Sequence, residues 1–156
     1  MPTPANVYPE SMKRRTDIDR LHDEITELVD ELWHVPRFAG ARRGFRPQVD
    51  CVRGDDPAEL RVFVELPGVD PAAIQVIAAD RVLVVAGERC RPDFRGRYQQ
   101  MEIEYGPFQR RIPLDEPVDT VAATARYERG VLTVVLPIAA KPPEVGRVSI
   151  AIGGRK

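Results

Sequence analysis

The side chains that could do chemistry in this chain are few and poorly placed for it. Its two serines, Ser11 and Ser149, stand near the ends of the chain. Neither sits in the strand-turn-helix elbow that exposes a nucleophilic hydroxyl. The two histidines, His22 and His34, fall in one N-terminal segment, so no Ser-His or Cys-His pair is proposed. Cys51 and Cys90 are far apart and form neither a zinc-type nor a redox-type short spacing. No glycine-rich loop carries the lysine that would cradle a nucleotide phosphate. Glu102 and Glu104 are spaced to share one face of a strand, as paired carboxylates would. Met101, Ile103 and Tyr105 take the other face, so alternation alone accounts for the acids as a solvated surface. The expectation is a protein with no catalytic residues, no metal site and no cofactor, and not an enzyme.

Bulk composition points to a folded domain with tails. The chain has 156 residues, 43% hydrophobic and 30% charged, which is enough for one packed core and too apolar for wholesale disorder. The formal net charge of −1 supplies no long-range attraction to nucleic acid or to an anionic membrane. Basic clusters at Lys13-Arg14-Arg15, Arg42-Arg43 and Arg95-Gly96-Arg97 are small and offset by nearby acids, as expected of solvated surface. Fifteen prolines disfavour an all-helical chain, because proline cannot donate to a helix. Two cysteines do not make a disulfide scaffold, and a reducing, cytoplasmic setting fits them. By default Cys51 is read as a buried structural thiol and Cys90 as a partly exposed loop thiol. Residues 1–10 do not read as a signal peptide. The longest apolar stretch, Val131 to Ala140, is too short to span a bilayer.

Three regions follow from the patterning. In residues 1–44, Ile18, Leu21, Ile25, Leu28, Leu32 and Trp33 recur at three- and four-residue spacings, predicting an amphipathic helix with one apolar stripe. Asp17, Asp19, Asp23 and Glu24 favour its positive end, and Pro36 stops it. Residues 45–138 change period. Leu60, Val62, Val64 and Leu66 alternate with Arg61, Phe63 and Glu65. Further strands are predicted around Ile74 to Val76, Val82 to Ala86, Phe108 to Ile112, Val121 to Tyr127 and Val131 to Leu136. Turn residues separate them at Gly54-Asp55-Asp56-Pro57, Pro67-Gly68, Gly106-Pro107 and Arg129-Gly130. Short strands with turns at this spacing predict an all-β sandwich or barrel. Arg89 to Gln100 is too long and polar for a tight hairpin, and loops of that size usually have a task. Residues 139–156 read as a flexible Pro- and Gly-rich extension in which Val148, Ile150 and Ile152 alternate with Ser149 and Ala151.

The order of the motifs adds a family resemblance over about residues 46–138. Val64-Glu65-Leu66-Pro67-Gly68-Val69 resembles the "LPG" turn of the α-crystallin domain of small heat-shock proteins. Val82-Leu83-Val84-Val85-Ala86-Gly87-Glu88-Arg89 is similar to that family's "L-x-I-x-G-x-R" strand. Tyr105-Gly106-Pro107-Phe108-Gln109-Arg110 resembles "Y-G-x-F-x-R", and Ala125 to Leu132 resembles "A-x-x-x-x-G-V-L". Ile150-Ala151-Ile152 is similar to the C-terminal "I-x-I" motif. Arg129 stands where the family usually has Asn, and Asp115 follows Pro113-Leu114 where it often has Leu-Pro.

The resemblance implies an antiparallel immunoglobulin-like β-sandwich of seven or eight strands that dimerises. The loop Arg89 to Gln100 would carry an extra strand exchanged onto the partner's sheet edge, with Arg95, Tyr98 and Arg110 as interface candidates. Ile150 and Ile152 would enter a groove near Ile74-Val76 and Ala125-Tyr127 of another dimer. Burying two isoleucines stabilises by roughly 3–6 kcal/mol before ordering costs. The implied activity is that of an ATP-independent holdase. Its partners would be itself, as homodimer and larger oligomer, and unfolding clients held on the Ile18 to Trp33 stripe. No nucleic acid and no membrane span are expected. A p23-like co-chaperone adaptor is the alternative, although such adaptors lack the I-x-I tail and the "A-x-x-x-x-G-V-L" signature.

Overall fold

The computed structural model describes residues 44–79, 81–140 and 148–153. The predicted N-terminal helix, with Ile18, Leu21, Ile25, Leu28, Leu32 and Trp33, lies outside the described residues. The described residues form nine strands: β1 (Val49–Asp55), β2 (Ala58–Glu65), β3 (Ile74–Ala79), β4 (Val82–Arg89), β5 (Gly106–Pro113), β6 (Thr124–Glu128), β7 (Val131–Pro137), β8 (Val148–Ser149) and β9 (Ile152–Gly153). They make two sheets in the orders β1-β2-β7-β6-β9 and β5-β4-β3-β8. The fold is an all-β sandwich, and the only helical turn among the described residues is the 3₁₀ segment Pro71–Ala73.

Alternation explains the layering. Leu60, Val62 and Val64 of β2 and Leu132, Val134 and Leu136 of β7 face inward and meet Ile74, Val76, Leu83, Val85, Phe108 and Ile112 of the other sheet. Strand β4 differs, because Val82, Val84 and Ala86 are buried as well as Leu83 and Val85. A strand buried on both faces reads as a continuous apolar run, as this one does. Gly87 continues it because a Cβ there would lie 2.7 Å from the Phe108 ring and 2.6 Å from the Ala73 carbonyl oxygen.

The β6–β7 hairpin turns on Arg129 and Gly130, with φ of 52° and 81°. Two successive positive φ values give the primed turn whose twist matches the flanking strands. Arg129 therefore adopts the left-handed conformation that asparagine tolerates more readily. The turn is tied to the Leu66-Pro67-Gly68 bend, where the Leu66 amide donates to the Gly130 carbonyl at 2.7 Å.

Four expectations change. Strand β1 has no counterpart in the alternation, because five of its seven residues, Asp50, Cys51, Val52, Arg53 and Asp55, are exposed. Strand β6 begins at Thr124 rather than Val121. The Asp119 carboxylate accepts from the amides of Val121 and Ala122, which holds that stretch in a turn and leaves Val121 exposed. The sandwich is not wholly antiparallel, since β9 runs parallel to β6. Cys51 is exposed on β1 rather than buried; its partial burial and the nearby Asp115 raise its pKa.

Candidate functional site

Two segments, in addition to strands β3, β5 and β6, carry residues singled out in the sequence. The first is the C-terminal segment Val148–Gly153. Strand β8 pairs antiparallel with β3, placing Ser149 opposite Ile77 and Val148 opposite Ala78. The Ile150 amide then donates to the Val76 carbonyl at 2.9 Å. Two residues on, β9 pairs parallel with β6, placing Ile152 opposite Ala125. The segment thus crosses from the edge of one sheet to the edge of the other. Ile150 is 8% exposed and belongs to the core cluster, while Ile152 packs against that cluster half-buried. Ser149 and Ala151, the intervening residues, are exposed. The alternation read in the sequence is the alternation of burial.

Of the four residues named for the groove, Val76 accepts from the Ile150 amide and Ala125 stands opposite Ile152, while Ile74 and Tyr127 lie on the same two strands. Ile74, Val76 and Ala125 are buried, and Tyr127 is half-buried. The Tyr127 hydroxyl donates toward the carbonyls of Leu66 and Val69, at 2.8 and 3.0 Å. This fastens β6 to the Leu66-Pro67-Gly68 bend and fixes one wall of the groove. Burial pushes the Tyr127 pKa above its ordinary value.

The second segment is the loop between β4 and β5, Cys90–Tyr105. It contains no strand, and residues Cys90 to Glu104 are all exposed. Phe94, Tyr98, Met101 and Ile103 stand 72%, 48%, 59% and 57% exposed. Met101 and Ile103 are therefore not set on a covered face opposite Glu102 and Glu104; both sets lie in solvent. Arg95 is exposed here as well. On the sandwich, β1 is the free edge of its sheet, and its outward Val52 is 51% exposed.

Arg110 sits on β5 between Phe108 and Ile112. It donates through Nη1 to the Pro47 carbonyl of its own subunit. Burial, reinforced by the neighbouring Arg46 charge, lowers its pKa. The residue missed in the sequence is its neighbour Arg111, whose Nε and Nη2 are buried with no hydrogen-bond partner among the described residues. A lone arginine beside another gave no spacing signal to separate the two.

Among the described residues no reaction centre is assembled. The depression over β6 and β7 is lined by Arg126, Glu128, Thr133 and Val135, with no nucleophile and base converging on it. Among the described residues no group of His, Cys, Asp and Glu is placed to hold a metal ion, and no helix is long and apolar enough to cross a membrane.

A two-sheet sandwich whose own tail bridges both sheet edges defines a recognisable class of β protein. The model of the Hsp20/alpha crystallin family matches residues 53–152, and the chain belongs to that family. Among its relatives, the 18 kDa heat shock protein of Streptomyces albus G is 34% identical over 133 residues, 82% of this chain and 85% of that protein. The 19.0 kDa class II heat shock protein of Oryza sativa subsp. japonica is 40% identical over 107 residues; the match spans 61% of each chain. A small heat-shock protein from Xylella fastidiosa, described as having a distinct high order structure, superposes with a TM-score of 0.53 at 31% identity, covering 64% of this chain and 94% of that one. Membership implies a chaperone function, in a family of chaperones rather than enzymes.

Proposed function

We propose that this protein is an ATP-independent holdase that binds unfolding proteins and assembles from dimers into larger oligomers. The observation that carries the reading is the contrast between an occupied groove and an exposed apolar arm. The tail segment and its groove are complementary in pattern, in backbone hydrogen bonding and in burial. Seven residues, Lys141 to Arg147, separate it from the end of the described domain at Ala140. The same fit is available to the tail of a second copy. Because Ile152 is only half-buried, the contact falls near the lower end of the 3–6 kcal/mol scale before ordering costs, roughly. Individually weak contacts that act together give an assembly that is stable and still exchanges subunits.

The arm supplies the dimer. Tyr98 to Glu104 alternates Tyr98, Gln100, Glu102 and Glu104 with Gln99, Met101 and Ile103, the pattern of a strand lacking a sheet. Strand β1 presents a free edge with Val52 exposed beside it. Pairing this arm to β1 of a partner satisfies the backbone of both, with Arg95, Tyr98 and Arg110 near the junction. Clients would be held by the N-terminal stripe Ile18 to Trp33, so the chain divides into an arm (1–44), the sandwich (45–138) and an extension (139–156). Two free thiols suit a cytoplasmic setting.

The test compares wild type with Ile150→Ala/Ile152→Ala by light scattering, alongside an ATP-free assay of client aggregation. The expected result is a large wild-type assembly that suppresses aggregation and a doubly substituted chain that falls to dimers. Unsuppressed aggregation with a stoichiometric folded partner in its place would favour the adaptor reading.

A further inference from the structure

The neck of the Cys90–Tyr105 loop holds a ladder of alternating aromatic rings and guanidinium groups. Phe45 packs edge-on against core residue Phe108, with ring centroids 5.6 Å apart. The Arg89 guanidinium lies 4.7 Å from the Phe45 ring centre and 5.6 Å from that of Tyr105. Arg91 lies 4.9 Å from Tyr105 and 5.2 Å from Tyr98. Neither arginine has a carboxylate within ion-pair distance among the described residues. The partners of these two cations are the ring faces, which attract a guanidinium through the aromatic quadrupole.

The position of the ladder gives it a task. Arg89 ends β4 and pairs with Gly106, the first residue of β5, so Arg89 and Tyr105 flank the point where the loop leaves the sandwich. Arg91 stands on the outgoing limb; Tyr98 and Tyr105 stand beyond it and on the returning limb. We propose that Arg91, stacked between Tyr98 and Tyr105, is a positioning residue that staples the two limbs together, so that the loop leaves the domain as a preformed arm. This rests on the reading of that loop as the arm exchanged between subunits. Ordering an unstapled loop at the moment of association costs conformational entropy, and a stapled one has lost most of it beforehand. The staple consequently acts on the dimer equilibrium and not on the sandwich, whose core it does not enter.

The experiment measures the dimer dissociation constant by sedimentation over a concentration series. It uses the full chain carrying Ile150→Ala/Ile152→Ala, to stop growth beyond dimers, with and without Arg91→Ala. Loss of two cation–π contacts is expected to raise the dissociation constant about five- to thirty-fold. The thermal midpoint of the sandwich should stay where it was. Tyr105→Phe, which keeps the ring face, should match the parent protein. An unchanged dissociation constant for Arg91→Ala, or a midpoint that falls in step with it, overturns the staple. A parent protein that is monomeric at every concentration overturns the exchanged-arm reading itself, and the staple with it.

Discussion

The tail and the arm are similar in kind and opposite in state. Each is a short alternating segment joined to the sandwich, and each carries apolar residues on one side of an extended backbone. The tail has found its sheet edges: Ile150 is 8% exposed and its amide is bonded to Val76. The arm has none, and Met101 and Ile103 stand 59% and 57% exposed. The difference lies in what a single chain can offer. The groove between β3 and β6 is within reach of the chain's own terminus, whereas the loop is anchored at both ends beside β4 and β5 and the free edge β1 belongs to the other sheet. Alternation alone therefore does not make a strand; it makes a segment that becomes one when an unpaired edge is presented to it.

The comparison breaks most visibly in the arm. Met101→Asp/Ile103→Asp puts two charges where the proposed interface needs apolar contact. Sedimentation should show dimer affinity falling on the order of 100-fold, because charges are costly to bury unpaired. Both positions are exposed in the isolated subunit, so thermal stability of the sandwich should not change. In the tail the expected effect is local. Ile150→Ala removes the buried member of the pair, and the opening free energy of that segment should fall by about 2 kcal/mol, the low end for such a truncation. Amide hydrogen exchange at position 150 should then quicken roughly thirty-fold, while β2 and β7 keep their protection. Equal responses of tail and core would mean that the tail is an integral part of the sandwich.

The smallest effect sharpens the description of the groove wall. Tyr127→Phe deletes the hydroxyl bonded to Leu66 and Val69, with an expected cost of about 1 kcal/mol in a denaturant titration near neutral pH. The pH dependence follows from the raised pKa. In the unfolded chain the phenol ionises around its ordinary value of 10.0, while in the folded protein burial keeps it protonated to higher pH. Its contribution is thus complete below about pH 10 and declines as pH rises through the folded value. The alkaline loss of stability should be smaller in Tyr127→Phe. An identical loss in both proteins would assign it to other groups.

Much of the sandwich was legible because its strands are half-buried. Leu60-Val62-Val64 and Leu132-Val134-Leu136 alternate in the sequence because one face of each strand is in the core. The alternating burial of the tail was legible in the I-x-I spacing. Strand β1 was not, since a sheet edge exposed on both faces leaves no hydrophobic period to read, and Cys51 was misplaced for the same reason. Val121 looked like the start of a strand because its type is right; the Asp119 side chain, which captures the next amides, decides otherwise. Arg110 and Arg111 are adjacent and chemically equivalent in sequence. Only the packing separates the one bonded to Pro47 from the one left with buried, unpartnered nitrogens.

The tail touches two sheets within six residues, antiparallel to β3 at one end and parallel to β6 at the other. One proteolytic cut beyond Ala140 would strip both borders together. The freshly bared strands, each with unsatisfied amides and carbonyls, are templates for adding further chains. A clipped subunit would then carry two further open edges, one on each sheet.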